Sequence, residues 1–298
     1  MLKNWLEAFR LRTLPLALSC IGMGSFLAAY YGTFNISVCI LSLTTTLFLQ
    51  VLSNLANDYG DSVHGADSAE REGPQRSVQK GSISTKAMFN SIIVFAILSF
   101  ISGVLLLHFS VGIGSTTFYV FLGLGLAAIA AAIAYTNGKR PYGYSGLGDI
   151  SVFLFFGLLG VCGTYFLHDE SLEVLILLPA ASCGFFATGV LNVNNIRDIK
   201  SDKAAGKNSI PVRIGKRNAI IYHTILITLG CLASIVFLII HEEFYAIISV
   251  AISFLFFAKH LNKVYQAKSS TELDPQLKFL AMSTLLFVLL FGFSVLAL

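Results

Sequence analysis

The chain has 298 residues, 55% of them hydrophobic and only 12% charged. A soluble domain of this length would carry a far more charged surface, so the composition excludes a soluble globular enzyme and points to a polytopic membrane protein. The net charge of +4 is shared among short loops, which gives no reason to invoke a nucleic-acid partner.

Crossing the hydrocarbon core takes about 20 apolar residues in helical form. Nine stretches qualify, near 14–31, 36–56, 88–109, 118–135, 147–167, 172–193, 219–240, 244–258 and 277–298. Their apolar runs are continuous rather than alternating, which predicts helices and not barrel strands. The expected fold is therefore all-α, a polytopic bundle of nine transmembrane helices forming a single domain over 1–298. Residues 1–12 lead into the first span without a small-residue cleavage pattern, so no cleavable signal peptide is expected. Arg12, just before that span, reads either as a substrate contact or as a membrane anchor.

Span two ends in a first acidic cluster, Asn54, Asn57, Asp58 and Asp61, and Arg71, Arg76, Lys80 and Lys86 follow it. Span four closes on Tyr135 and is followed by Lys139 and Arg140. Span five opens at Asp149 in a glycine-rich turn, where the carboxylate either serves an aromatic acceptor or caps the helix. Span six ends in a second cluster, Asn194, Asn195, Arg197, Asp198 and Asp202, with Lys200, Lys203 and Lys207 beside it. All twenty Lys and Arg fall on one side of this topology, whereas the opposite loops carry only Asp169, Glu170, Glu173, Glu242 and Glu243. The positive-inside rule makes the basic side cytoplasmic, with the N-terminus inside and the C-terminus outside the cell membrane. The five cysteines stand singly in apolar segments and read as packing residues. His64 reads as a solvated loop residue, and His108, His168, His223, His241 and His260 show no pairing pattern.

The two clusters look like copies. Asn54 and Asn194, and likewise Asp58 and Asp198, are each 140 positions apart, suggesting pseudo-related halves of about 1–140 and 141–298. Helical spacing would put Asp58 with Asp61, and Asp198 with Asp202, on shared faces. Like charges held that close require a compensating cation. Oxygen-rich sites of this kind suit Mg2+, with Asn54 and Asn194 one turn back as neutral oxygens. The bland alternative is that the acids merely cap helices in solvent. Acids for metal and bases for phosphate oxygens together describe a diphosphate site, and an apolar bundle around it would accept a long hydrocarbon tail.

These residues resemble the UbiA superfamily of intramembrane prenyltransferases. The resemblance is carried by Arg12 to Leu16, Asn54 to Asp67, Gly73 to Val78, Tyr135 to Asp149 and Asn194 to Gly215. Within the superfamily it favours the naphthoate-using, menaquinone branch: the benzoate-using branch carries an acid four residues after Asp61, where this chain has Gly65, and Asp67 comes later. The resemblance implies a cytoplasm-facing cavity in which Asp58, Asp61, Asp198 and Asp202 hold Mg2+ against a polyprenyl diphosphate. It implies that Lys139 and Arg140 lie near the diphosphate, that Arg76 and Lys80 sit in a covering loop, and that Tyr135 lines the acceptor pocket. The implied reaction moves the polyprenyl group to 1,4-dihydroxy-2-naphthoate with loss of carbon dioxide, giving demethylmenaquinone. Polyprenyl diphosphate, an aromatic acceptor and membrane lipid are then the expected partners, with no obligate protein partner. The rival readings are another aromatic acceptor (4-hydroxybenzoate, homogentisate, chlorophyllide or haem) and, in a different class, a secondary transporter whose acids and internal repeat serve a midplane site.

Overall fold

The computed structural model describes residues 2–63 and 75–297. His64, Gly65, Asp67, Arg71, Gly73 and Pro74 therefore lie outside the described residues. Among those described, nine helices are long and apolar enough to cross a membrane. They are α1 (Leu2–Tyr30), α2 (Ile36–Val63), α3 (Thr85–Val111), α4 (Thr116–Ala134), α5 (Gly148–Asp169), α6 (Val174–Arg197), α7 (Ile210–Ile240), α8 (Phe244–Gln266) and α9 (Ser270–Leu296). No strand occurs among the described residues. The protein is an integral membrane protein.

All nine predicted spans are present, and several run beyond their apolar windows. α2 continues as helix through the first acidic cluster to Val63. α8, the shortest predicted span, extends to Gln266 because Lys259 and Lys263 stay exposed on its outer face while His260 and Val264 face inward. α7 starts at Ile210, not near 219, and is kinked where Gly215 takes φ 79°. Local chemistry sets other boundaries. The Ser84 side chain accepts from Ala87 N–H to start α3, and Ser115 accepts from Phe118 N–H to start α4.

Two elements are less regular than their sequences suggest. The backbone of α1 breaks at Arg10, which adopts φ 50°, and a 3-10 turn over Leu11–Thr13 leads into the apolar part. In α5 the segment Phe153–Gly163 is π-helical. Its Gly157 packs on α6 so closely that a Cβ there would meet the Ala180 carbonyl at 2.8 Å. Small residues let helix backbones touch in this way inside a membrane, where hydrophobic drive between helices is missing.

α6 is the most enclosed helix and α4 the least. α6 packs against α7, α5 and α9, and Phe186 on it stacks with Phe257 of α8 at 4.4 Å and meets Phe287 of α9 edge-on. The cysteines are free, and Cys20, Cys162, Cys183 and Cys231 pack among apolar groups. The histidines do not behave as their spacing suggests. His223 and His260 are fully buried with their Nε2 atoms 2.9 Å apart, and His241 Nε2 lies 2.8 Å from the Tyr31 hydroxyl. These contacts join residues 37 and 210 positions apart, so no short-range pattern announces them.

Candidate active site

The last three turns of α2 carry Asn54, Asn57, Asp58 and Asp61. Asn54, Asn57 and Asp61 line a single large cavity, while Asp58 turns toward the loop before α3. Ser77 N–H donates to Asp58 Oδ2 at 3.2 Å, and the buried Oδ1 has no hydrogen-bond partner among the described residues. Asp61 accepts from the Tyr144 hydroxyl at 2.7 Å and pairs with the Arg76 guanidinium at 2.6 Å. Arg76 also donates to the Asn57 carbonyl. Between the two acids, Gly60 lets the chain at Thr136 approach: a Cβ there would meet the Thr136 carbonyl at 2.6 Å. Asn54 Nδ2 donates to the Phe9 carbonyl at 2.9 Å, tying the break in α1 to this helix end.

The second cluster departs from the expected continuous helical face. α6 stops at Arg197, Asp198 takes φ −97° and ψ 14°, and a short helix, Ile199–Ala204, follows. The two carboxylates take separate cations. Arg197 grips Asp198 through Nε and Nη2 at 2.9 and 2.7 Å. Asp202 pairs with Lys207 at 3.3 Å and accepts from Ser209 at 3.4 Å. Lys207 N–H donates to the Asp202 carbonyl at 2.8 Å, and Gly206, at φ 72°, closes the turn that brings this ammonium back over the helix.

Lys207 joins the two clusters. Burial opposes its charge, yet Asp202 and Asp61 together raise its pKa above the ordinary lysine value. Burial likewise pushes Asp202 up, against the pull of Lys207, with Asp198 and Asp61 adding to the push. The Lys207 ammonium sits 5.9 Å over the ring of Tyr144, and Asn208 N–H donates to the Tyr144 carbonyl at 2.9 Å. The loop after α4 is thus hydrogen-bonded to the α2 cluster through the Tyr144 side chain and to the α6 cluster through its backbone.

Below these charges the cavity measures about 410 Å³, within the range of small-molecule sites. Its walls include Arg10, Arg12, Arg76 and Lys207 at the acid end and Phe100, Val104 and Leu107 further along. Lining residues of α2 run from Asp61 to Ser42, which at 1.5 Å per helical residue spans about 28 Å. The cavity is therefore long, charged at one end and mainly apolar beyond it.

The remaining candidates separate clearly. Tyr135 and Asn194 line the cavity, and Asn194 Oδ1 accepts from Arg197 at 2.8 Å. Arg12 lines it too, while pairing with Asp274 at 3.0 Å. Lys80 pairs with Glu7 at 3.3 Å, and Lys139 and Arg140 are exposed; none of the three is on the cavity wall. Asp149 is buried in the first turn of α5, where it makes no cap and instead accepts from the Tyr222 hydroxyl of α7 at 3.0 Å. Asp274 escaped the sequence reading. Followed by Pro275, it looks like an ordinary helix start, and its partners lie 77 and 262 positions away.

The acids fit a hard divalent cation by chemistry: four carboxylates at one end of the bundle, with Asp58 Oδ1 buried and unpartnered among the described residues. Among the described residues, no three acids, histidines or cysteines are drawn together as one ligand set. Arg76, Arg197 and Lys207 hold Asp61, Asp198 and Asp202 instead.

Membrane-crossing helices around one long channel, with charged groups collected at one end, place the chain in the class of intramembrane prenyltransferase folds. A UbiA homologue from Aeropyrum pernix superposes with a TM-score of 0.69 at 17% identity, covering 97% of this chain and 98% of that one. A UbiA homologue from Archaeoglobus fulgidus, bound to GPP and Mg2+, gives 0.62 at 18% identity over 99% and 100%. The chain belongs to the UbiA prenyltransferase family, whose model matches residues 17–283. It is 45% identical to the 1,4-dihydroxy-2-naphthoate octaprenyltransferase of Haemophilus influenzae, over 99% of this chain and 96% of the relative. The Escherichia coli enzyme of the same name is 48% identical over 77% and 75%.

Proposed function

We propose that this chain transfers a polyprenyl group from polyprenyl diphosphate to 1,4-dihydroxy-2-naphthoate, with loss of the ring carboxylate as carbon dioxide. The observation that carries the reading is the channel itself, with paired carboxylates and cations at one end and an apolar bore beyond; the naphthoate-specific relatives support the acceptor. Asp58, Asp61, Asp198 and Asp202 are the residues that would hold Mg2+, which as a Lewis acid would stabilise the departing diphosphate. Arg76, Lys207 and Arg12 would bind its oxygens, since they reach the charged end of the cavity. The allylic C–O bond breaks, the freed carbon bonds to the ring carbon bearing the carboxylate, and carbon dioxide leaves. The apolar wall keeps water from the allylic cation, and Tyr135 offers a ring face beside it. Asp149 would act through the neighbouring wall residues Ser151 and Val152 in positioning the acceptor. The product is the quinol whose oxidised form is demethylmenaquinone.

The charged end would face the cytoplasm, with the N-terminus inside and the C-terminus outside the cytoplasmic membrane, and the matched clusters would mark two pseudo-related halves of a single domain. Membranes containing the protein, given labelled polyprenyl diphosphate, Mg2+ and each acceptor in turn, should form product with the naphthoate. Robust product from 4-hydroxybenzoate or homogentisate with none from the naphthoate would overturn the acceptor. Product formation in detergent, with no membrane gradient, would set aside transport.

Channel length should govern the choice of donor. Gly103 lies on the cavity wall, 18 residues into α3 and so about 27 Å from the start of that helix, and a Cβ there faces Thr45 Cγ2 at 3.8 Å. Gly103→Phe should block the far part of the bore. The kcat/KM ratio of short to long donors is expected to rise about tenfold, the scale on which pocket volume discriminates hydrocarbon length. An unchanged ratio would remove Gly103 from the tail path.

A further inference from the structure

Arg197 has almost no exposed surface, with its side chain 1% accessible, and its guanidinium is divided between two carboxylates from different helices. Nε and Nη2 hold Asp198, Nη2 also reaches Asn194 Oδ1 at 2.8 Å, and Nη1 meets Asp274 Oδ1 at 2.5 Å. The other oxygen of Asp274 takes Arg12 at 3.0 Å. Asp274 therefore links three elements: the start of α9, the end of α6 and the 3-10 turn of α1. Its placement is firm, since it occupies the first turn of α9, where the helix dipole favours an acid. Gln276, two residues on, is bound from the opposite side by His260 at 3.1 Å.

A carboxylate gripped through two nitrogens by a buried arginine is a poor metal ligand unless the arginine can let go. Removing Asp198 from Arg197 would ordinarily strand a buried guanidinium, which is costly. Asp274 supplies the remedy: it is already in contact with Nη1 and could keep Arg197 neutralised. We propose that Asp274 is a positioning residue that makes Asp198 available to a divalent cation by holding the positive charge of Arg197. This rests on the reading of Asp198 as a metal ligand, and it assigns to the α9 acid a function that none of the matched Asn/Asp clusters reveals. Arg12, sharing the same carboxylate, extends the link to the cavity wall.

The test is thermal unfolding of the purified full-length chain in detergent, with inorganic diphosphate present and Mg2+ titrated. In wild type the midpoint should rise with Mg2+, and Asp198→Asn should suppress the rise; failure of either result overturns the metal reading itself. Given that rise, Asp274→Asn should increase the Mg2+ concentration for half-maximal stabilisation by about tenfold, the low end of what losing an outer-sphere partner costs. Asp274→Glu, which keeps the charge one methylene further out, should shift it in the same direction by less and serves if the Asn variant cannot be purified. In an Arg197→Gln background, Asp274→Asn should have no further effect on the Mg2+ requirement, because Asp274 then has no Arg197 charge to hold. A merely structural role would lower the unfolding temperature without Mg2+ and leave the Mg2+ requirement unchanged. That outcome, or an equal shift in both backgrounds, would overturn the proposal.

Discussion

Asp58→Asn should reduce turnover by about a thousandfold while leaving the protein folded. The substitution keeps the shape of the side chain and one oxygen, so Ser77 N–H retains an acceptor. What it removes is the negative charge at the buried Oδ1, the oxygen with no partner among the described residues. If that oxygen helps hold the ion that stabilises the leaving diphosphate, about 4 kcal/mol of transition-state stabilisation is at stake, and each 1.36 kcal/mol is a factor of ten. The same logic applies to Asp198→Asn, where Arg197 would also lose one of its two counter-charges and keep Asp274. The check is kcat at saturating donor and acceptor, alongside circular dichroism and the unfolding temperature in detergent. More than a tenth of wild-type turnover in Asp58→Asn, with normal folding, would contradict the metal assignment.

The different visibility of these residues in the sequence has a physical basis. The nine spans are legible because a membrane imposes one demand on every crossing segment: it must be apolar and must satisfy its own backbone. The acid clusters stand out for the complementary reason that charge at a membrane helix end needs a purpose. What stays hidden is pairing over long separations. Asp274 looks like a helix-start acid, and only the packing of α9 against α6 and α1 makes it the shared partner of two arginines. The Tyr144 hydroxyl reaches Asp61 across 83 positions of sequence. Helical periodicity also misleads at Asp198, because it assumes a helix that the chain in fact breaks at that residue. Lys139 and Arg140, a basic pair beside the right segment, are exposed and off the cavity wall, which sequence proximity alone does not reveal.

Lys207→Met should damage both stability and turnover, and the two effects can be told apart. The ammonium is buried and serves Asp202 and Asp61 together, so its loss leaves Asp202 with Ser209 but no paired cation among the described residues. Removing one partner of a buried ion pair typically costs about 3–5 kcal/mol, because the remaining charge stays desolvated. The unfolding temperature without Mg2+ should therefore fall by several degrees, and added Mg2+ with diphosphate should recover part of the loss by restoring positive charge at the same place. Turnover should stay low even then, since Mg2+ does not replace a cation that binds phosphate oxygens. The pH dependence supplies an independent sign. Burial already holds Asp202 above its ordinary value of 3.8, and Lys207 is the group that pulls it back down. Without Lys207 the native carboxyl binds its proton more tightly still, and more tightly than the unfolded chain does. The variant should consequently lose stability as pH rises from the ordinary carboxylate range through the native pKa, over a wider interval than wild type. Unfolding temperatures measured across that acid range would decide the matter. A variant whose stability tracks wild type at every pH would mean that Lys207 does not neutralise Asp202 in the folded protein.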